Sequence, residues 1–190
     1  APVGEATALA LGTHLLATRE RVTWEGGRLR ARTLRTLGAI TLSTTPAPVP
    51  GPQQVAAAVV GQVREVGDLS LLTWSDDAHE LRARLALLHA HLGGPWPAVD
   101  DLTLAERADA WLGPAVAALA RSASSGRGFD LARLDVATAL RALLPWPAAA
   151  RFDELVPERI GVPSGSHVRL AYAGEGGSPL ERPVLAVRVQ

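Results

Sequence analysis

The chain has 190 residues, no net formal charge, and a hydrophobic content of 47%. That is enough for one domain core, or for two small domains sharing one, and no apolar run is long enough to span a membrane. There is no Cys, which excludes disulfides, thiolate metal sites and thiol nucleophiles together. All nineteen basic residues are Arg. Without Lys there is neither a P-loop, whose Lys reaches the β- and γ-phosphates, nor a Schiff-base amine.

Asn and Met are absent too, and two Ile stand against many Ala, Leu and Arg, a bias of GC-rich coding. The first twenty residues lack a basic start and a continuous apolar core, so no signal peptide is expected. The absence of an initiating Met suits a piece of a longer polypeptide. The neutral total hides an uneven spread. Residues 19–35 hold six Arg against two Glu, whereas residues 68–110 hold eight acids against three Arg.

Residues 5–17 are Ala- and Leu-rich and predict a short helix. Arg19 to Glu25 and Arg28 to Thr36 alternate around Gly26-Gly27, a hairpin signal because both turn residues can take positive φ. The second strand, or its continuation past a bend at Gly38, runs through Ala39-Ile40-Thr41-Leu42. Pro46, Pro48, Pro50 and Pro52 then end regular structure and mark a linker. Gln53 to Val66 predicts a helix closed by Gly67. Ser75 caps the next, with Asp76 and Asp77 at the positive end of its dipole. Its buried stripe is Leu81, Leu85, Leu88 and Leu92, and Gly93-Gly94-Pro95 stops it. Thr103 and Glu106 suggest a capping box for a helix reaching Arg121, kinked or broken at Gly113-Pro114.

A flexible loop is expected over Ser122 to Gly128. One helix is predicted over Leu131 to Leu144, ended by Pro145-Trp146-Pro147, with Leu140, Leu143 and Leu144 buried against the C-terminal strands. A shorter helix covers Ala148 to Val156. Strands are expected over Arg159 to Val162, His167 to Tyr172 and Val184 to Val189. Two β blocks thus flank a helical middle. A lone hairpin is marginal in water, so the first block must pair or pack with the C-terminal strands or with elements outside this sequence.

Few residues carry chemistry. Ser75, Asp76, Asp77 and His79 share one helical turn and cannot converge as a triad. No i,i+4 pair exists among His14, His79, His89, His91 and His167, so the five histidines read as surface or packing residues and no metal site is expected. No nucleophile–base–orienter set is present, so no catalytic residue is assigned. Pro163-Ser164-Gly165-Ser166 could hold a phosphate, but a turn is the simpler reading. Among the Trp residues a base-stacking platform is conceivable. Trp96 and Trp146 lie beside Pro at element ends and suit packing, and Trp111 suits a buried helix face.

The hairpin differs. A two-residue turn pairs Glu25 with Arg28, Thr23 with Arg30 and Arg21 with Arg32, and cross-strand partners share a face. One face shows Arg19, Arg21, Arg28, Arg30 and Arg32, offset by Glu25; the other shows Val22, Trp24, Leu29 and Ala31. The arginine face is either an ordinary solvated surface or a phosphate contact, and its single sign favours the phosphate.

Two stretches carry a family resemblance. The first is Leu134-Asp135-Val136-Ala137-Thr138-Ala139-Leu140-Arg141-Ala142-Leu143-Leu144-Pro145-Trp146 with Arg151-Phe152-Asp153-Glu154-Leu155-Val156-Pro157. The second is Val162-Pro163-Ser164-Gly165-Ser166-His167-Val168-Arg169-Leu170-Ala171-Tyr172 followed by Pro183-Val184-Leu185-Ala186-Val187-Arg188-Val189-Gln190. In order and spacing they resemble the C-terminus of the HrpB family, bacterial DEAH-type ATP-dependent RNA helicases; Leu37-Gly38-Ala39-Ile40 and Trp111-Leu112-Gly113-Pro114 also fit.

The resemblance implies an α+β region. Residues 1–50 would be the second half of an oligonucleotide-binding (OB) β barrel, 51–157 a helical HrpB-type C-terminal region, and 158–190 a small C-terminal β unit. It further implies a cytoplasmic accessory region that guides single-stranded RNA and braces upstream RecA-like motor lobes of the same polypeptide. ATP and Mg²⁺ would belong to those lobes, with no cofactor held here. A structural or protein-interaction module without RNA contact is the other reading open to these residues.

Overall fold

A computed structural model describes residues 13–25, 28–48, 50–123, 129–163 and 165–185. Alternation in the N-terminal segment builds a three-stranded antiparallel meander of β1 (Leu16–Glu25), β2 (Arg28–Leu37) and β3 (Ile40–Pro46). The β1–β2 register is the expected one, with Glu25 opposite Arg28, Thr23 opposite Arg30 and Arg21 opposite Arg32. Residues 39–42 do not continue β2. Gly38, at φ 56°, turns the chain back, and β3 pairs antiparallel with β2. The expected helix over residues 5–17 lies outside the described residues up to 12. Thr13–Leu15 form a single 3₁₀ turn, and Leu16 and Ala17 already belong to β1.

The helices follow the Pro-rich link. α1 (Pro52–Val66) starts with Pro at its first position, where a missing N–H costs nothing. It ends on Gly67 at φ 76°, whose N–H reaches Val63 O at 2.9 Å. In α2 (Asp76–Leu92) the Ser75 hydroxyl accepts from Ala78 N at 3.2 Å. Leu81, Leu85 and Leu88 are buried, but Leu92 is not: it lies in the final turn, past the packed surface, and is 54% exposed.

The expected helix to Arg121 breaks at Arg107 and not at Gly113-Pro114, giving α3 (Asp101–Glu106) and α4 (Ala108–Ala123) with Pro114 inside. The carbonyls freed at the break find side-chain donors. Trp111 Nε1 donates to Leu104 O at 2.9 Å, and Arg64 Nη2 donates to Glu106 O at 2.8 Å. The cap of α3 is Asp100 rather than Thr103.

The helix expected over Leu131 to Leu144 is also divided. A 3₁₀ turn at Leu131–Arg133 precedes α5 (Val136–Arg141), because Asp135 is extended and caps α5. Asp100 and Asp135 do this in the same way. Each carboxylate accepts from the Thr three residues on, at 2.9 Å from its N–H and 2.7 Å from its hydroxyl. An Asp side chain that satisfies helix N–H groups ahead of it starts a helix instead of continuing one. Leu140 is fully buried, but α5 packs on α2 and α4 rather than on the C-terminal strands, and Leu143 and Leu144 are half-buried.

After a 3₁₀ turn and α6 (Phe152–Leu155), β4 (Arg159–Gly161), β5 (His167–Ala173) and β6 (Pro179–Leu185) form a second antiparallel meander. β6 begins five residues before the expected Val184, and residues 186–190 lie outside the described residues. Pro179 and Pro183 stand in this edge strand, where a missing N–H is tolerated and discourages further pairing.

Among the described residues the two sheets share no strand pairing. The first packs on α1, with Trp24 and Leu29 against the core and Trp24 edge-on to Phe129 at 6.1 Å. The second packs on α2, burying Leu170 and Tyr172. One core, filled by Trp111, Leu85, Leu104, Leu112 and Leu140, joins the helices. The fold is α+β. No helix among the described residues is long and apolar enough to cross a membrane.

Candidate nucleic-acid interface

The β1–β2 ladder decides what the hairpin presents. Its pleat sends alternate residues to opposite faces. Val22, Trp24, Leu29 and Ala31 are half-buried on the inner side, and Arg19, Arg21, Arg28, Arg30 and Arg32 are exposed on the other. Along β2 the arginines recur about every 6.5–7 Å, two strand rises apart.

Arg21 faces Arg32, and Arg19 faces Leu34. Glu25 does not neutralise its direct partner Arg28. It accepts from the Thr23 hydroxyl at 2.9 Å and lies 3.4 Å from the diagonal Arg30 Nε. Among the described residues Arg19, Arg21, Arg28 and Arg32 have no ion pair within 4 Å. On the inner side, Gln54 Nε2 of α1 donates to Glu20 at 3.1 Å, which ties the hairpin to the helical middle. The arginine row is therefore held from behind and left open in front.

The other motifs resolve differently. Gly165 takes φ 82° and donates to Val162 O at 2.8 Å, while Ser166 O accepts from Val162 N, so the Pro163 segment is a turn; Ser164 lies outside the described residues. His79 stacks on Trp74 at 5.4 Å, and His89 Nδ1 sits 2.8 Å from Trp96 O. Among the described residues no group of three or more His, Asp or Glu could hold a metal. Trp24 and Trp74 are engaged in ring contacts, and Arg82 lies over Trp74. Trp96 and Trp111 are buried. Trp146 is the exception to the packing expectation, at 87% exposure. Its prolines end the helix but leave nothing above the ring.

Sequence reading also passed over Arg84. It lies on the Leu81–Leu85–Leu88 stripe, where an Arg is a signal in itself, and it is buried. Its guanidinium donates to Val156 O at 2.7 Å, to Asp153 at 2.5 Å and to Glu158 at 3.1 Å, and it lies over the Phe152 ring. Tyr172 lines the same cleft. Burial raises the pKa of its phenol, Arg84 opposes that, and the Glu80 charge adds to it. The phenol donates to Pro157 O at 2.8 Å, and Glu80 accepts from Tyr172 N at 2.9 Å. This constellation has no free nucleophile. It fastens the C-terminal sheet to α2.

The family model described as ATP-dependent helicase C-terminal matches residues 111–190. The ATP-dependent RNA helicase HrpB of Escherichia coli (strain K12) is 33% identical over 180 residues, covering 93% of this chain and 21% of the relative. A crystal structure of the E. coli DExH-box NTPase HrpB superposes with TM-score 0.63 at 29% identity, over 98% of this chain and 22% of that one. A crystal structure of the E. coli DEAH/RHA helicase HrpB gives TM-score 0.65 at 31% identity, over 92% and 21%. The chain spans about a fifth of the length of these relatives. In sequence and in backbone alike, the chain is similar to the C-terminal region of HrpB-type helicases.

Proposed function

We propose that this region serves a larger ATP-dependent RNA helicase, acting in the cytoplasm, as an RNA guide beside the motor. The arginine face of β1–β2 holds single-stranded RNA by its phosphates, within the half of an OB-like barrel that this sheet would supply, and the helical middle braces the motor lobes of the same polypeptide. The observation that carries the reading is the opposition of Arg21 and Arg32 within a row that holds one ion pair. Like charges directly opposite destabilise a ladder, and a polyanion relieves them. Such contacts position RNA without reading its sequence. ATP and Mg²⁺ are assigned to the motor lobes, and titration of this chain with Mg-ATP should give no binding heat.

The test replaces Arg28, Arg30 and Arg32 with Gln and follows anisotropy of labelled 12-nucleotide oligouridylate and oligoadenylate at several salt concentrations. Both affinities should fall alike, and the slope of log affinity on log salt should flatten by about 0.7 per lost contact. Thermal stability should hold, since the buried face is untouched. Unchanged affinity and slope would leave a structural module without RNA contact.

A further inference from the structure

The register of the hairpin places its arginines in a line rather than a patch. Arg28, Arg30 and Arg32 stand at alternate positions of β2, Arg21 lies directly opposite Arg32, and Arg19 is two residues further along β1. Along the sheet this makes four levels, each about 6.5–7 Å from the next, over about 20 Å. The levels of Arg28, Arg30 and Arg19 hold one guanidinium each. The level of Arg21 and Arg32 holds two, on Cβ atoms about 4.5–5.5 Å apart.

The line is narrow and its charge has one sign. β3 carries no charged residue between Ile40 and Pro46, and Pro46 is the neighbour of Arg32 on that side. Arg19 lies opposite Leu34, and Leu34 opposite Thr44. Among the described residues Glu25 is the one acid on this face; it stands opposite Arg28 and lies 3.4 Å from Arg30 Nε. Glu20 belongs to the other face, where Gln54 donates to it. The Arg21–Arg32 level therefore has no acid beside it: its neighbours along the strands are Thr23 and Arg30 toward the turn, and Arg19 and Leu34 away from it.

A single strand can follow such a line, one phosphate to a level, because its backbone is free to straighten. A duplex backbone winds about its own axis and soon leaves a straight line. We propose that the arginine line is a track for one RNA strand, about four nucleotides long, the lower end of the range for basic grooves of this kind, in which Arg21 and Arg32 close on a single shared phosphate. Planar guanidinium forks bind phosphate oxygens in pairs. One shared anion also relieves the repulsion within a directly opposed like-charged pair. The proposal rests on the reading that this face binds RNA, and it fixes how many phosphates the five arginines meet.

Salt dependence tests it, because counterion release counts the phosphates neutralised and not the arginines. The 190-residue chain is titrated with labelled four- and twelve-nucleotide oligouridylates, and anisotropy is followed at several salt concentrations. Both lengths should give a slope of log affinity on log salt of about 2.8 in magnitude, about 0.7 for each phosphate. R21Q and R32Q should each weaken binding severalfold and leave the slope nearly unchanged, since the partner arginine still holds the phosphate. R21Q/R32Q should flatten the slope by about 0.7, and R19Q/R28Q, which empties two levels, by about 1.4. E25Q releases Arg30 and should strengthen binding. A twelve-base-pair RNA duplex should bind more weakly, with a smaller slope. Melting temperatures without RNA should not fall, because the buried face is untouched and R21Q or R32Q removes a like-charged neighbour. Equal flattening by the two double variants overturns the shared phosphate, and a slope that grows from four to twelve nucleotides overturns the track. In either case, binding lost on replacement of Arg28, Arg30 and Arg32 leaves the arginine face itself standing. A wild-type chain that binds no oligouridylate overturns both readings.

Discussion

Arg84 Nη2 lies 2.5 Å from Asp153 Oδ1, joining a guanidinium with 5% of its side chain exposed to a carboxylate with 84% exposed. The asymmetry sets the direction of the energetics. The acids can return to water, but the buried cation cannot. Replacing Asp153 with Asn and Glu158 with Gln together should cost about 3–5 kcal/mol, the range for an uncompensated buried charge. Each single change should cost less than half of that, since the other acid remains. Arg84→Met, which removes the charge and keeps the stem, should be milder than the double acid variant. Urea unfolding of the four proteins checks the order.

Leu140 is fully buried where α5 meets α2 and α4, whereas Leu92 is more than half exposed. Leu140→Ala should therefore cost about 2–5 kcal/mol, through lost burial and the cavity left behind. Leu92→Ala should stay within about 0.5 kcal/mol. Similar losses in denaturant titrations would mean that α5 is peripheral to the core.

Gly38 and Gly177 both have positive φ, 56° and 79°, but a side chain at each would meet different surroundings. At Gly38 an added Cβ enters open space, so Gly38→Ala should cost only the left-handed backbone, about 1–2 kcal/mol. At Gly177 the Cβ would overlap the His79 ring, which stacks on Trp74. Gly177→Ala should cost more than Gly38→Ala and should shift the His79 ring resonances in NMR spectra. A smaller loss at Gly177 would show that His79 moves aside freely.

Asp135 has its pKa lowered from 3.8 by the Thr138 hydroxyl first and the Thr138 N–H second. A depressed folded-state value means the cap stabilises fully above the ordinary Asp range and is lost as pH falls below about 4 through the folded value. Asp135→Ala should cost about 0.5–2 kcal/mol at pH 7. The gap between variant and wild type should then close toward pH 2, read as converging melting temperatures. A gap that stayed constant with pH would mean that the carboxylate charge plays no part in the cap.

Local chemistry made much of this molecule legible beforehand. Gly-Gly between two alternating runs set a two-residue loop, and with a side-chain period of two that loop dictated which arginines share a face. Ser75 and Gly67 marked helix ends because their effects act within one turn. The Asp-x-x-Thr pattern at Asp100 and Asp135 was equally local and could have been read the same way. Other features depended on residues far apart in the chain. Whether the chain breaks at Arg107 or at Pro114 depends on which freed carbonyls find donors, and Arg64 reaches Glu106 O only because α1 packs on α4. Whether Trp146 is buried depends on what lies above the turn after α5, which no spacing of residues encodes. Arg84 could be placed on the buried stripe by period, but its acids come from 69 and 74 residues away. Sequence by itself determined the hairpin register and the bounds of α1 and α2, because those rest on neighbours in the chain. Only tertiary packing decided the helix break, the buried arginine and the open tryptophan, because each depends on whether a distant group supplies a partner or leaves the space to water.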